Sequence, residues 1–182
     1  MVKVLKYSYV IALILTLVIV TILLMSPGIE IALEDKKTII SGMKLVFGGQ
    51  RLKIEGDITG VLGDKMDFAW SASAAFFQSC VIIVILFLQS LFTTTRTTFL
   101  ERVHEFFDDH PIIINAVLAI LLLSNIYYIF NIPNAFIDAN RSSYRFSATL
   151  QAGPIIAGIL AIIAAILVVA RIIASYKVDF DD

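Results

Sequence analysis

Hydrophobic residues in this chain are gathered into four long blocks, and polar residues are confined mostly to the segments between them. The blocks cover 7–25, 68–92, 112–130 and 152–170, and none of them contains Asp, Glu, Lys, Arg or His. A helix needs about 20 apolar residues to cross the hydrocarbon core of a bilayer. The pattern therefore predicts an all-α membrane protein, a single tetraspan domain whose four transmembrane helices form one bundle.

The overall composition supports this interpretation. Of the 182 residues, 59% are hydrophobic and 16% are charged, whereas a soluble domain is about half apolar and a quarter charged. The net charge is −1 and no basic tract is present, so we expect no nucleic-acid partner. The single cysteine, Cys80, lies in a hydrophobic block and is interpreted as a small buried residue.

The charges beside the blocks predict an orientation. Cations close to membrane spans collect on the cytoplasmic side, and a cytoplasmic N-terminus places six of them there: Lys3, Lys6, Arg96, Arg102, Arg171 and Lys177. Arg141 and Arg145 argue the other way. We expect both termini in the cytoplasm, outer loops at 26–67 and 131–151, and a cytoplasmic helical loop at 93–110. The membrane is expected to be the plasma membrane, and Asn140, in an N-x-S tripeptide, is an outer glycosylation candidate.

Small residues recur every fourth position in two of the blocks. The fourth block carries one such row and the second block another, namely Gly153, Ala157, Ala161 and Ala165, and Ser71, Ala75 and Ser79. Helices in lipid associate where small residues let their backbones approach closely. We expect these rows to pack inside the bundle, and the alternative is a seam for a partner helix.

Four amides lie within the blocks. They are Gln78, Gln89, Asn115 and Asn125. One interpretation is hydrogen bonding between helices. A more specific alternative is a polar path through a small channel or transporter. The ionisable residue expected of a proton relay or an ion-coupled carrier is absent from all four blocks.

The first outer loop contains an alternating stretch, MKLVFGGQRLKI, at 43–54. Gly-Gly is a favoured two-residue β-turn, so the stretch predicts a β-hairpin over about 38–59. Its apolar face would hold Ile39, Met43, Leu45, Phe47, Leu52, Ile54 and Ile58. The other face is cationic, and the expected partner-binding residues are Lys44, Arg51, Lys53 and Phe47. Simple solvation of the cations and an anionic lipid headgroup are the alternatives.

No catalytic constellation accompanies these features. The chain has no P-loop, nucleophile elbow, dinucleotide fingerprint or HExxH motif. His104, Asp108, Asp109 and His110 could be considered as metal ligands, but Asp109 and His110 directly before Pro111 are typical of a helix start. We expect no enzyme activity, no cofactor and no metal. An enzyme of lipid or thiol chemistry would require Cys80 or the two histidines to be essential.

The layout resembles the claudin-like tetraspan superfamily, which includes tight-junction proteins and channel auxiliary subunits. The resemblance rests on four spans, a long β-rich first outer loop and the final span LQAGPIIAGILAIIAAILVVARI. The family's G-L-W-x-C-x-C signature is absent, because 26–67 holds neither Trp nor Cys and the only tryptophan is Trp70. The resemblance implies a structural, adhesion or auxiliary subunit whose partners are other membrane proteins, in homo- or hetero-oligomers, and lipid.

Overall fold

A computed structural model describes residues 7–33, 36–48, 69–92, 105–107, 109–140 and 146–178. In chain order, the elements are α1 (Ser8–Met25), β1 (Pro27–Leu33), β2 (Lys36–Ser41), α2 (Gly42–Phe47), α3 (Trp70–Phe92), α4 (Pro111–Phe130), α5 (Ile132–Ala139), β3 (Ser147–Leu150) and α6 (Ala152–Val178).

Four of these helices, α1, α3, α4 and α6, are long and apolar enough to cross a membrane. They confirm the four predicted helices, and their length and composition indicate a multi-pass membrane protein. Pro111 occupies the first turn of α4 directly after His110, as expected of a residue whose missing N–H costs nothing there. Helix α6 continues to Val178, beyond the predicted end at 170, because no Gly or Pro interrupts it.

The four long helices form a ring. α1 packs against α3 and α6, and α4 packs against the same two neighbours. Both rows of small residues are buried, and Ala157, Ala161 and Ala75 have no exposed surface. The outward sides carry large apolar residues, such as Val84 and Ile120, so the bundle presents an apolar surface to its surroundings.

A three-stranded antiparallel sheet lies at one end of the bundle, in the order β2-β1-β3. Strand β1 follows α1 and β3 precedes α6, so the antiparallel pair α1–α6 continues into the strand pair β1–β3. In that pairing Ile29 lies opposite Leu150 and Ile31 opposite Ala148. The two isoleucines are fully buried and point toward the helices.

The sheet and the helices share one hydrophobic core. Ile29, Ile31 and Ile40 of the sheet belong to the same buried cluster as Leu23 of α1 and Phe136 of α5. The Phe136 ring also packs edge-to-face on Phe146, with centroids 6.0 Å apart. This continuous packing fixes the sheet rigidly on the bundle.

The predicted hairpin is wrong for its first arm. Residues 36–41 are a strand, but they pair with β1, and Gly42–Phe47 is a helix. Gly48, with φ 47°, ends that helix, since glycine adopts positive φ without a steric penalty. The second arm, including Leu52, Ile54 and Ile58, lies outside the described residues.

The predicted apolar face is wrong at three of its four described positions. Ile39, Met43 and Phe47 are exposed, Leu45 is buried as predicted, and on β2 it is Ile40 that is buried. Side chains along a strand alternate between its two faces. The prediction placed Ile39 in the core, and it thereby assigned the other side chains of this strand to the wrong faces as well.

Candidate functional site

Two features of the described structure combine polar groups with a defined geometry. The first is the outer face of the sheet, the side turned away from the helices, which comprises Glu30, Lys37, Ile39, Ser147 and Thr149. The second is a polar seam between α3 and α4, comprising Ser71, Gln78, Ser79, Gln89, Asn115, Ser124 and Asn125.

The outer face is organised around Glu30 on the central strand. Lys37 Nζ lies 2.9 Å from Glu30 Oε1, and Gln151 Nε2 donates to Glu30 Oε2 at 3.3 Å. Ile39 lies directly opposite Glu30 in the β1–β2 pairing, and 57% of its surface is exposed. The face is thus a small polar surface centred on Glu30, with an exposed apolar side chain, Ile39, on the edge strand beside it.

Of the four predicted partner-binding residues, the two that the structure describes, Lys44 and Phe47, are not on this face. Lys44 and Phe47 lie on α2, and the Phe47 ring packs edge-to-face on Phe76 of α3 with centroids 5.4 Å apart. Arg51 and Lys53 lie outside the described residues. The structure therefore does not show the cationic patch that the sequence predicts.

The polar seam crosses most of the thickness of the bundle. At the sheet end, the Ser71 hydroxyl donates to the Tyr128 carbonyl oxygen. Further along, Gln78 Nε2 donates to the Leu121 carbonyl oxygen at 2.7 Å and to the Ser124 hydroxyl. The helices run antiparallel, so the contacts pass from Ser71 with Tyr128 at one end to Gln89 with Asn115 at the other.

The seam continues toward the other end of the bundle. Asn125 Nδ2 donates to Ser79 Oγ at 2.8 Å, and Gln89 Nε2 donates to Asn115 Oδ1 at 3.1 Å. Asn115 Oδ1 also accepts from the Tyr9 hydroxyl of α1 at 2.7 Å. All four amides noted in the sequence therefore form hydrogen bonds between helices. This agrees with the interpretation that they hold the helices together.

Two oxygens in the seam are buried without a partner in the described part of the chain: Gln89 Oε1 and Asn125 Oδ1. An unpaired buried carbonyl costs about 1–3 kcal/mol in a water-soluble protein. At these two atoms, the hydrogen bonding within the seam is incomplete.

A groove of about 460 Å³ lies between α4 and α6, but it does not connect with the seam. Its lining is entirely apolar: Leu123, Ile126, Ile162, Ala165, Ile166, Val169, Ala170 and Ile173. Leu123, Ile162 and Ile166 are exposed, so the groove lies on the outside of the bundle. It offers no polar route.

The remaining candidates occupy separate places. Asn140 follows α5, and its Nδ2 donates to the Phe136 carbonyl oxygen at 3.0 Å. Cys80 is half-buried on α3. Within the described residues, which omit His104 and Asp108, no three His, Cys, Asp or Glu side chains are grouped as metal ligands.

Sequence reasoning missed β1 and β3, which build the outer face. Both carry a signal: PGIEIAL alternates around Glu30, and FSATL alternates around Ser147 and Thr149. Period-2 alternation of this kind is typical of a half-buried strand. No family model, curated protein or solved structure matches the chain.

Proposed function

We propose that the chain is a non-enzymatic membrane tetraspan that works as a structural, adhesion or auxiliary subunit of a membrane protein assembly. The proposed contact surface is the outer face of the sheet, contributed by both outer loops. In the proposed orientation the sheet lies outside the cell and both termini lie in the cytoplasm of a plasma-membrane protein. Asn140 would then also be outside.

One observation carries this proposal: the sheet shares its core with the helices, while Ile39, Ser147 and Thr149 on its outer face are exposed. A surface held by a rigid support binds with little ordering cost, since its side chains are positioned before the partner arrives. The outer face also combines an exposed apolar side chain, Ile39, with charged and polar neighbours, and protein interfaces contain both kinds of group.

A photo-crosslinking amino acid at Ile39 tests the proposal in native membranes. We expect a discrete adduct with one protein at Ile39 and none at Asn134, an exposed position on α5 that serves as the matched control. If Ile39→Arg abolishes association with this partner and Asn134→Arg does not, the contact is assigned to the outer face. An Ile39 probe that yields no protein adduct, from a chain that extracts as a monomer, would contradict the proposal.

The second candidate function is a small channel or transporter that uses the polar seam. The observation in its favour is the pair of buried, unpaired oxygens on Gln89 and Asn125, which water or a polar solute could satisfy. Purified protein in liposomes would then conduct, and Gln89→Leu with Asn125→Leu would abolish the flux. If the chain is instead a structural, adhesion or auxiliary subunit, neither the unchanged protein nor the double variant shows flux.

A further inference from the structure

The short helix α2 lies against the side of the bundle, where contacts with α1 fix its start. A Cβ on Gly42 would be 1.8 Å from the carbonyl oxygen of Leu23, which lies near the end of α1. The Gly42 N–H donates to the Ser26 carbonyl oxygen at 2.9 Å. α2 therefore begins in direct backbone contact with a membrane-spanning helix.

Contacts with α3 fix the other end of α2. The Ser73 hydroxyl donates to the Val46 carbonyl oxygen, and the Phe47 ring packs on Phe76. Phe76 comes six residues after Trp70, where α3 begins, and a helix rises 1.5 Å per residue, so Phe76 is roughly 9 Å further along the axis.

Trp70 indicates where the membrane boundary lies. Trp and Tyr collect at the membrane–water interface, and the Trp70 ring packs on Tyr128 with centroids 5.9 Å apart. Since the Phe47 ring contacts a residue beyond this aromatic layer, that ring reaches the hydrocarbon side of the layer.

The uncovered face of α2 is apolar and joins the uncovered face of α3. Met43 and Phe47, one helical turn apart, are 50% and 55% exposed. Phe47 packs on Phe76, which packs on Phe77 at 5.3 Å. Phe77 is 59% exposed and belongs to the outward side of a membrane-spanning helix. The one charged residue of α2, Lys44, has a stem long enough to carry its ammonium group to the interface.

We propose that α2 is an interfacial helix that binds lipid, with Met43 and Phe47 inserted among the acyl chains of the leaflet on the sheet side. Two observations favour acyl chains as the group that covers this face. The exposed side of α2 continues into the lipid-facing residue Phe77, and the Phe47 ring lies deeper than Trp70. The stretch MKLVF thus anchors the sheet to the membrane. This inference requires only that the long helices span a bilayer and is independent of any protein partner.

Tryptophan fluorescence in vesicles with brominated acyl chains tests this placement. Trp70 is the only tryptophan, so Trp70→Phe gives a silent background for single tryptophans at Phe47, at Phe77 as the lipid-facing control, and at Thr149 as the aqueous control. An interfacial helix sits roughly 5–10 Å into the boundary, so we expect bromolipid to quench Phe47→Trp by about half or more, as it quenches Phe77→Trp. Aqueous acrylamide should quench only Thr149→Trp.

Two results would overturn the proposal. Quenching of Phe47→Trp by acrylamide and not by bromolipid would place α2 in water. Quenching by neither would show that protein, for example a second copy of the chain, covers it. If Trp70→Phe does not fold, Met43→Cys in a Cys80→Ala background, labelled with bimane, gives the same comparison: bromolipid quenching supports the proposal and acrylamide quenching opposes it.

Discussion

The junction where α1 leads into the sheet meets the start of α6 at Gly153, and this contact allows no side chain. A Cβ on Gly153 would lie 1.9 Å from Ser26 Oγ and 2.5 Å from Ser26 Cβ. Non-bonded carbon atoms prefer a separation of about 3.5–4.0 Å. Gly153→Ala must therefore push the two helix ends apart or rotate Ser26 out of its place.

The cost of this collision can be separated from other effects by a double-mutant cycle. Gly153→Ala should destabilise the bundle by about 1–3 kcal/mol, the usual cost of overpacking. Ser26→Gly alone loses the 2.6 Å bond from Ser26 Oγ to the Ile22 carbonyl oxygen, worth about 0.5–1.5 kcal/mol. In the double variant the Ser26 side chain is gone and only the Pro27 carbonyl oxygen, 3.1 Å from the new Cβ, remains close. The two costs should therefore not add, and we expect a favourable coupling of about 1–2 kcal/mol.

The assay is unfolding by SDS in mixed micelles, followed by Trp70 fluorescence. Gly158→Ala is the matched control, because its Cβ would meet the Phe130 ring at 2.5 Å and not Ser26. It should therefore destabilise without coupling to Ser26→Gly. Additive costs for Gly153→Ala and Ser26→Gly, within about 0.5 kcal/mol, would refute the proposed contact.

Two further predictions concern the bundle interior. Ala161→Leu, at a position with no exposed surface, should destabilise by about 1–3 kcal/mol in the same assay, whereas Ala116→Leu on the exposed side of α4 should change stability by less than about 0.5 kcal/mol; equal effects would contradict the burial of the small-residue row. Asn125→Leu loses the hydrogen bond to Ser79 but also removes an unpaired oxygen. Because such hydrogen bonds in membrane bundles average about 0.6 kcal/mol, we expect the free energy of unfolding to change by less than about 1 kcal/mol. A much larger loss would show that the unpaired oxygen has a partner such as a bound water.

The four long helices were predictable because uninterrupted apolar blocks have few structural solutions. In a bilayer, a block such as 112–130 satisfies its backbone only as a helix. The sheet was less predictable, since β1 and β3 are more than a hundred residues apart and pair because α1 and α6 bring them together. Local alternation marks a strand but does not identify its partner.

The stretch MKLVFGG shows why the local signal misled. Gly-Gly suits a β-turn, but glycine is equally suited to the end of a helix. Met43 and Phe47, four residues apart, fit a helical face as well as a strand face. The contact of Gly42 with the Leu23 carbonyl oxygen favours the helix, and only the packed bundle reveals it. The polar seam was partly predictable, since the amides were visible in the blocks but their pairing was not.

Cysteine labelling in intact cells tests the proposed membrane topology. We propose that the four helices cross one membrane, with the sheet outside and both termini inside. In a Cys80→Ala background, a membrane-impermeant maleimide should label Thr149→Cys in intact cells and label Asp182→Cys only after permeabilisation. Labelling of both positions from the same side of an intact membrane would contradict the claim.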